Sequence, residues 1–220
     1  MEAQQQDPMA LSAFCGAYWK PLYSYARLSG CSTEDAEDLI QNFFLRVLEK
    51  DTLANVKQDG RKMRSFLLHA LKNSMRDAHR FQQAQKRGGG KQIVSFDFAT
   101  AEHEISDMNV GMVSPDRCFD RAWARQVIEL ARERVETIYQ NKNKSDQYQK
   151  LAPCLRDDVA PVNYRQVAAE TNVTEATVRY WAYEIRQTFR VALREVVADT
   201  LAPGADAEQE LSYLMQAFEA

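Results

Sequence analysis

NYRQVAAETNVTEATVRYWAYEIRQTFRV, residues 163–191, reads as two helices broken at Thr171-Asn172-Val173. Tyr164, Val167 and Ala168 fall on one side of the first helix, and Val178, Ile185 and Phe189 on one side of the second. That spacing is the amphipathic helical period. Asn172 stands where the turn needs a left-handed backbone, which Asn tolerates better than most residues. Thr174 follows with a hydroxyl suited to capping the second helix. The whole is a helix-turn-helix. Glu175, Thr177, Arg179 and Tyr180 are the exposed residues that such a second helix presents to a major groove. A three-helix packing unit with no DNA role has the same pattern, so both remain open from this stretch alone.

The rest of the chain agrees with a helical, globular protein. Its 220 residues are 45% hydrophobic and 27% charged, enough for one large domain or two small ones. No apolar run approaches the ~20 residues that span a bilayer. The start, MEAQQQDPMALSAF, carries acids where a signal peptide has bases, so a cytoplasmic location is expected and no membrane is. Cys15, Cys31, Cys118 and Cys154 are far apart, with no Cys-x-x-Cys pair and no His cluster. Buried free thiols are expected, with no metal and no cofactor. His69, His79 and His103 lack nucleophile or metal partners at useful spacing, so no catalytic residues are assigned and no enzyme is expected.

Net charge is −3, but it is distributed in blocks. Residues 32–60 hold seven acids and three bases, and residues 61–91 hold nine bases and one acid, Asp77. Residues 96–113 carry four acids and residues 195–220 six, neither with a base. Segregation of this kind points to partners of both signs.

In STEDAEDLIQNFFLRVLEK, residues 32–50, four acids crowd the first turns. Ser32 and Asp35 resemble a capping box, and acids in a first turn complement the helix dipole. Four acids exceed what a cap requires. On a helical wheel Ala36, Leu39, Ile40, Phe43, Phe44 and Val47 form the core face, while Glu34, Asp38 and Gln41 lie opposite with Glu37 at the edge. Leu45 falls among the acids. An acidic face with an apolar residue inside it suits a basic protein partner; a merely solvated face is the alternative. The helix after Gly60 is its counterpart in sign: Lys72, Asn73, Arg76, Asp77 and Arg80 share a polar face, with His79 and Phe81 near. Bases with amide, acid and aromatic groups suit a strand whose bases are unstacked and read edge-on. A solvated basic face with a salt bridge from Asp77 is the alternative there.

Along the chain, Asp7-Pro8 opens a helix to about Ser29, and Gln58-Asp59-Gly60 marks a turn. Gly88-Gly89-Gly90 ends the basic helix. The low-periodicity acidic stretch that follows reads as an interdomain linker, closed by the cap-and-proline signal Ser114-Pro115-Asp116. Helices are expected from Pro115 to about Tyr139 and near Asp146–Leu155, with a last amphipathic piece, Glu208 to Phe218, packing back on the second domain. Only Gln92–Phe98 shows strand-like alternation.

Together these residues resemble a bacterial sigma factor of the extracytoplasmic-function group, which keeps only two of the sigma domains. The family's Asp-Ala-Glu-Asp-Leu-x-Gln-x-x-Phe motif stands here as Asp35-Ala36-Glu37-Asp38-Leu39-Ile40-Gln41-Asn42-Phe43-Phe44. Its Arg-x-Phe/Trp-Leu element, running into Asn-x-x-x-Asp-x-x-Arg, stands as Arg64-Ser65-Phe66-Leu67, then Asn73, Asp77 and Arg80. Its promoter-reading module is matched at Tyr164, Ala168, Thr177, Val178 and Arg186. The closest likeness is to a subgroup with Gln-Lys-Arg-Gly-Gly-Gly after the basic helix and an acidic tail.

The resemblance implies an all-α protein of two small helical domains. Residues 1–91 would be a sigma region 2-like bundle, 92–113 an acidic linker, 114–198 a region 4-like helix-turn-helix domain, and 199–220 an acidic tail with a short helix. It implies that Asp35, Glu37, Asp38, Gln41 and Leu45 dock on the arginine-rich β′ coiled coil of core RNA polymerase. Lys72, Asn73, Arg76, Asp77 and Arg80 would open and read the −10 element of promoter DNA. Glu175, Thr177, Arg179 and Tyr180 would meet the −35 element, with Arg165 and Arg186 on phosphates. The linker would thread toward the polymerase channels. An anti-sigma factor or a serine/threonine kinase is a further partner that such subgroups imply. Relatives commonly have a base where Glu184 stands and an arginine where Trp181 stands, which implies fewer phosphate contacts here. Base-reading residues within Leu53–Lys62 are not assigned. A stand-alone helix-turn-helix regulator leaves the acidic and basic helices unexplained, and a protein-binding adaptor in a kinase pathway leaves the basic block unexplained.

Overall fold

Apolar residues at helical spacing, with a cap or proline at many starts, make a chain of helices. The computed structural model describes residues 8–49, 63–82, 96–106, 114–156, 159–201 and 206–219. These form α1 (Pro8–Leu28), α2 (Thr33–Glu49), α3 (Met63–Gln82), α4 (Phe98–Ser106), α5 (Pro115–Asn141), α6 (Ser145–Leu151), α7 (Tyr164–Thr171), α8 (Glu175–Asp199) and α9 (Ala207–Glu219). A 3₁₀ turn, Ala152–Leu155, follows α6. No strand occurs among the described residues, and the protein is all-α as its periodicity predicts. The turn at 58–60, the loop 53–62, the triglycine 88–90 and most of the alternating stretch at 92–98 lie outside the described residues.

Two compact units are present: Met1–Gln126 with Ala198–Ala220, and Val127–Val197. In the first, α1 packs against α2, α3 and α4. Phe14, Tyr18, Leu22 and Tyr25 repeat along its buried face, which meets Ile40, Phe43, Phe44 and Val47 of α2 and Leu67 and Leu71 of α3. Each such side chain contributes about 2 kcal/mol through apolar burial. Gly30, at φ 98°, takes the positive-φ position that ends α1, and Cys31 N–H donates back to Ala26 O at 3.1 Å. Any residue with a Cβ is strained there.

Residues 96–106, within the stretch expected to be a linker, pack into this core. Phe96 stacks on Trp19 at 5.1 Å between ring centres, and Phe98 lies 4.9 Å from Tyr23. Asp97 caps α4 by accepting from the Thr100 N–H and hydroxyl at 3.1 and 2.6 Å. Glu102 accepts from Tyr23 Oη at 2.7 Å and from Arg27 Nε and Nη2 at 2.5 and 3.1 Å. Glu102, an acid of the expected linker, therefore fastens α4 to α1.

The last helix also departs from expectation, because α9 belongs to the first unit rather than the second. Glu210 on α9 pairs with Arg64 Nε at 2.6 Å, and Asp120 on α5 pairs with Arg64 Nη1 at 2.7 Å. Tyr213 donates to Asp120 at 2.6 Å while its ring lies under the guanidinium, 3.4 Å from Arg64 Cζ. Arg64 is only 5% exposed, so its charge needs these carboxylates. Burial opposes that charge, but contacts with Tyr213 and Glu210 outweigh it and hold the guanidinium above its ordinary range.

In the second unit Val127, Ala131, Val135 and Tyr139 of α5, with Leu151, Val167, Val178, Ala182 and Ile185, are buried. Arg132 ties down the 3₁₀ turn by donating to Leu155 O at 3.2 and 2.8 Å. The helix-turn-helix forms as its sequence predicts. Asn163 caps α7 by accepting from Gln166 N–H at 3.3 Å. Asn172 is left-handed at φ 54°, ψ 43°, and Thr174 Oγ1 accepts from Thr177 N–H at 3.2 Å. Val178 and Ile185 are fully buried, whereas Phe189 is half-buried.

Two outcomes follow for unfolding experiments. The Arg27 guanidinium holds the Glu102 carboxyl below its ordinary 4.5, against the cost of burial and with help from the Tyr23 hydroxyl. A lowered carboxyl stabilises the fold above its unfolded value and loses that contribution as pH falls through the folded value. Glu102→Gln is thus expected to be about 1 kcal/mol less stable at neutral pH. The gap to wild type should narrow as pH falls below 4.5 in urea titrations. In the helix-turn-helix, Thr174→Ala removes a cap and should cost about 1 kcal/mol. Asn172→Gly should be nearly neutral and Asn172→Ala destabilising in the same thermal melts.

Candidate polymerase-docking and nucleic-acid interfaces

The acidic face begins with the cap. Ser32 Oγ accepts from Asp35 N–H at 3.1 Å and donates to the Asp35 carboxylate at 2.7 Å, which fixes the first turn of α2. Glu34, Asp35 and Asp38 are exposed, with Glu37, Gln41 and Leu45 half-buried beside them. Asn42 donates to Asp38 O at 2.8 Å and so stays on its own helix. Ala36, Ile40, Phe43, Phe44 and Val47 occupy the opposite, buried face, while Leu39 is only half-buried. The five candidate residues Asp35, Glu37, Asp38, Gln41 and Leu45 are thus a contiguous surface anchored by five core side chains.

On α3, Met63, Arg64, Leu67 and Leu71 are buried, and the opposite face presents Asn73, Arg76 and Asp77 to solvent. Asn73 Nδ2 lies 3.4 Å from His69 Nδ1 one turn earlier. Lys72 sits at the flank of this face, over the Tyr25 ring at 5.4 Å and paired with Asp116 of α5. That carboxylate raises the Lys72 ammonium above its ordinary value, against burial. Arg80 continues α3, but its side chain lies outside the described residues, as do those of His79 and Phe81.

The helix-turn-helix brings its candidates together around Tyr164 and Glu175. Glu175 bridges Arg179, at 2.6 and 3.1 Å, and Arg165, at 3.2 Å. The Arg179 guanidinium, aided by Arg165, holds the Glu175 carboxyl below its ordinary range. Arg179 Cζ also lies 5.3 Å from the Tyr164 ring centre, and Arg186 donates to the Tyr164 hydroxyl at 3.2 Å. Thr177 Oγ1 lies 2.8 Å from the capping hydroxyl of Thr174. Tyr180 lies outside this cluster, donating to Glu184 at 3.3 Å. Tyr164, expected on the buried side of α7 and in the module the family resemblance implies, is half-buried and organises two arginines. Tyr183, 58% exposed like Tyr180, was not singled out, although its place one turn beyond Tyr180 was the available signal. Trp181 is half-buried.

No group of His, Cys, Asp or Glu among the described residues is placed to hold a metal ion. All four cysteines are free; Cys15 and Cys118 are buried, Cys31 and Cys154 half-buried, and burial pushes the Cys15 thiol up to about 11. No helix of the described residues is long and apolar enough to cross a membrane.

Residues 16–85 match the family model for sigma-70 region 2. No curated protein and no solved structure matches the chain. The matched segment is less than half of the 220 residues, but it takes in all of α2 and α3, and so both charged faces. Residues 16–85 are therefore similar to region 2 of sigma-70 factors, a similarity that supports a role in promoter recognition and RNA polymerase binding.

Proposed function

We propose that the protein is a sigma factor of the extracytoplasmic-function group, directing core RNA polymerase to particular promoters and helping to open them. The observation that carries this is the region 2 match over α1 to α3 in a chain that also holds a capped helix-turn-helix. Asp35, Glu37, Asp38 and Gln41 grip arginines of the polymerase β′ coiled coil through charge-assisted hydrogen bonds, and Leu45 adds apolar area. Arg76 and Arg80 hold the phosphates of the strand being unpaired, with Lys72 beside them. Asn73 and Asp77 offer donors and acceptors to the edge of an extruded base. On α8, Glu175, Thr177, Arg179 and Tyr180 face the −35 element while Arg165 and Arg186 contact its backbone.

The Glu175 bridge ties Arg165 of α7 to Arg179 of α8. A carboxylate held between Arg165 and Arg179 keeps both guanidinium groups on one side of the turn. The same carboxylate repels phosphate, so it suits a place over base edges rather than over the backbone.

Co-purification with bacterial core RNA polymerase tests the docking surface. Wild type is expected to associate, and Asp35→Arg/Asp38→Arg to lose association with circular dichroism unchanged. Retention by the double variant would place docking elsewhere. For the DNA contacts, Arg186→Ala should weaken promoter binding by the holoenzyme uniformly across −35 variants. It should also reduce the slope of log affinity against log salt by about 1.

A further inference from the structure

The basic helix α3 is held by two elements that carry no assigned role. Asp116 and Asp120 stand one turn apart at the start of α5, and they take Lys72 and Arg64 respectively. Glu210 of α9 takes the second edge of Arg64. The two grips differ in kind. At the Arg64 end the guanidinium and Glu210 are each 5% exposed on their side chains, sandwiched against Tyr213, with Trp123 5.4 Å away. At the Lys72 end the partners are 32% and 54% exposed, so water and salt reach them. A buried anchor therefore holds a carboxylate over an accessible ammonium at the edge of the face that carries Asn73, Arg76 and Asp77. The Asp116 carboxylate thus sits on the ammonium that a phosphate at this edge would pair with.

We propose that α9 and the first turns of α5 form an autoinhibitory clasp on α3, in which Asp116 occupies the ammonium of Lys72 that a nucleic-acid phosphate would otherwise take. The Arg64–Asp120–Glu210 cluster keeps Asp116 in register, and α9 is the part whose release frees the helix. The clasp rests on the reading of α3 as a nucleic-acid surface. It makes the free chain a weaker DNA binder than its basic block suggests. The exposed pair is easily exchanged, because two opposite charges that remain in water gain little from each other. Exchange of Asp116 for phosphate leaves Lys72 neutralised in either state, so the clasp selects against contact that engages Lys72 alone. A strand that also reaches Arg76 displaces it.

The test uses the full chain and a labelled single-stranded DNA oligonucleotide of mixed sequence, read by fluorescence polarisation over a salt series. Asp116→Asn is expected to bind about threefold more tightly than wild type at low salt, as loss of a surface pairing allows. The gain should vanish in Lys72→Ala/Asp116→Asn, and melting temperature should be unchanged. Glu210→Gln should also bind more tightly, and Lys72 in it should react faster with an amine-directed reagent, located by mass spectrometry. Equal binding by Asp116→Asn and wild type, with Lys72→Ala weaker than both, would overturn the clasp while leaving α3 a DNA surface. If Lys72→Ala and Arg76→Ala both bind as wild type does, the nucleic-acid reading of α3 falls and the clasp with it. A Glu210→Gln that melts earlier with unchanged binding and unchanged Lys72 reactivity would reduce the cluster to a stability element.

Discussion

A guanidinium removed from water must find its counter-charges inside the protein, and Arg64 sets that requirement at the first turn of α3. The next turn of α3 supplies no acid. The chain answers with Asp120, 56 positions on, and Glu210, 146 positions on. Removing one partner from such a buried group costs about 3 kcal/mol or more. That is enough to explain why α9 returns to the unit that holds α3. The Tyr213 ring completes the enclosure, giving the cation an aromatic face where it has no carboxylate.

A second constraint is the separation of charge between neighbouring helices. Both α2 and α3 bury one apolar face in the same core, and their outer faces are opposite in sign. If the two sets of charges were interleaved they would neutralise one another across the surface. Kept apart, each presents a field of one sign that extends about a Debye length, roughly 8 Å at physiological salt. One small bundle can then attract an arginine-rich protein surface and a polyanion without the two competing for the same residues.

Much of this was legible in the sequence, and what was not has a physical reason. The helix-turn-helix could be read because its signals are local: Asn172 in the turn, Thr174 at the cap, and Val178 and Ile185 at helical spacing. The core face of α2 was equally clear, with Leu39 alone less buried than its position suggested. α4 is hard to read in the sequence because acids surround Phe98, Ala101 and Ile105, which follow a helical stripe and are buried. What the sequence could not show was that Glu102 has a partner in Arg27, 75 positions earlier. The same blindness moved α9 to the wrong unit, since nothing near Glu210 or Tyr213 in the chain announces Arg64. Lys72, expected on the polar face of α3, lies at its flank, and its Asp116 neighbour depends on how α5 packs.

Tyr164 carries a consequence for how the helix-turn-helix meets a ligand. An arginine side chain that is free in solution loses about 0.5–1.5 kcal/mol of rotamer freedom when an interface immobilises it. Arg179, lying near the Tyr164 ring and bonded to Glu175, and Arg186, bonded to the Tyr164 hydroxyl, begin with part of that freedom already restricted. What docks on α8 therefore meets a surface whose cations are already aimed, so the difference between a right and a wrong partner is expressed in fit rather than diluted by rearrangement.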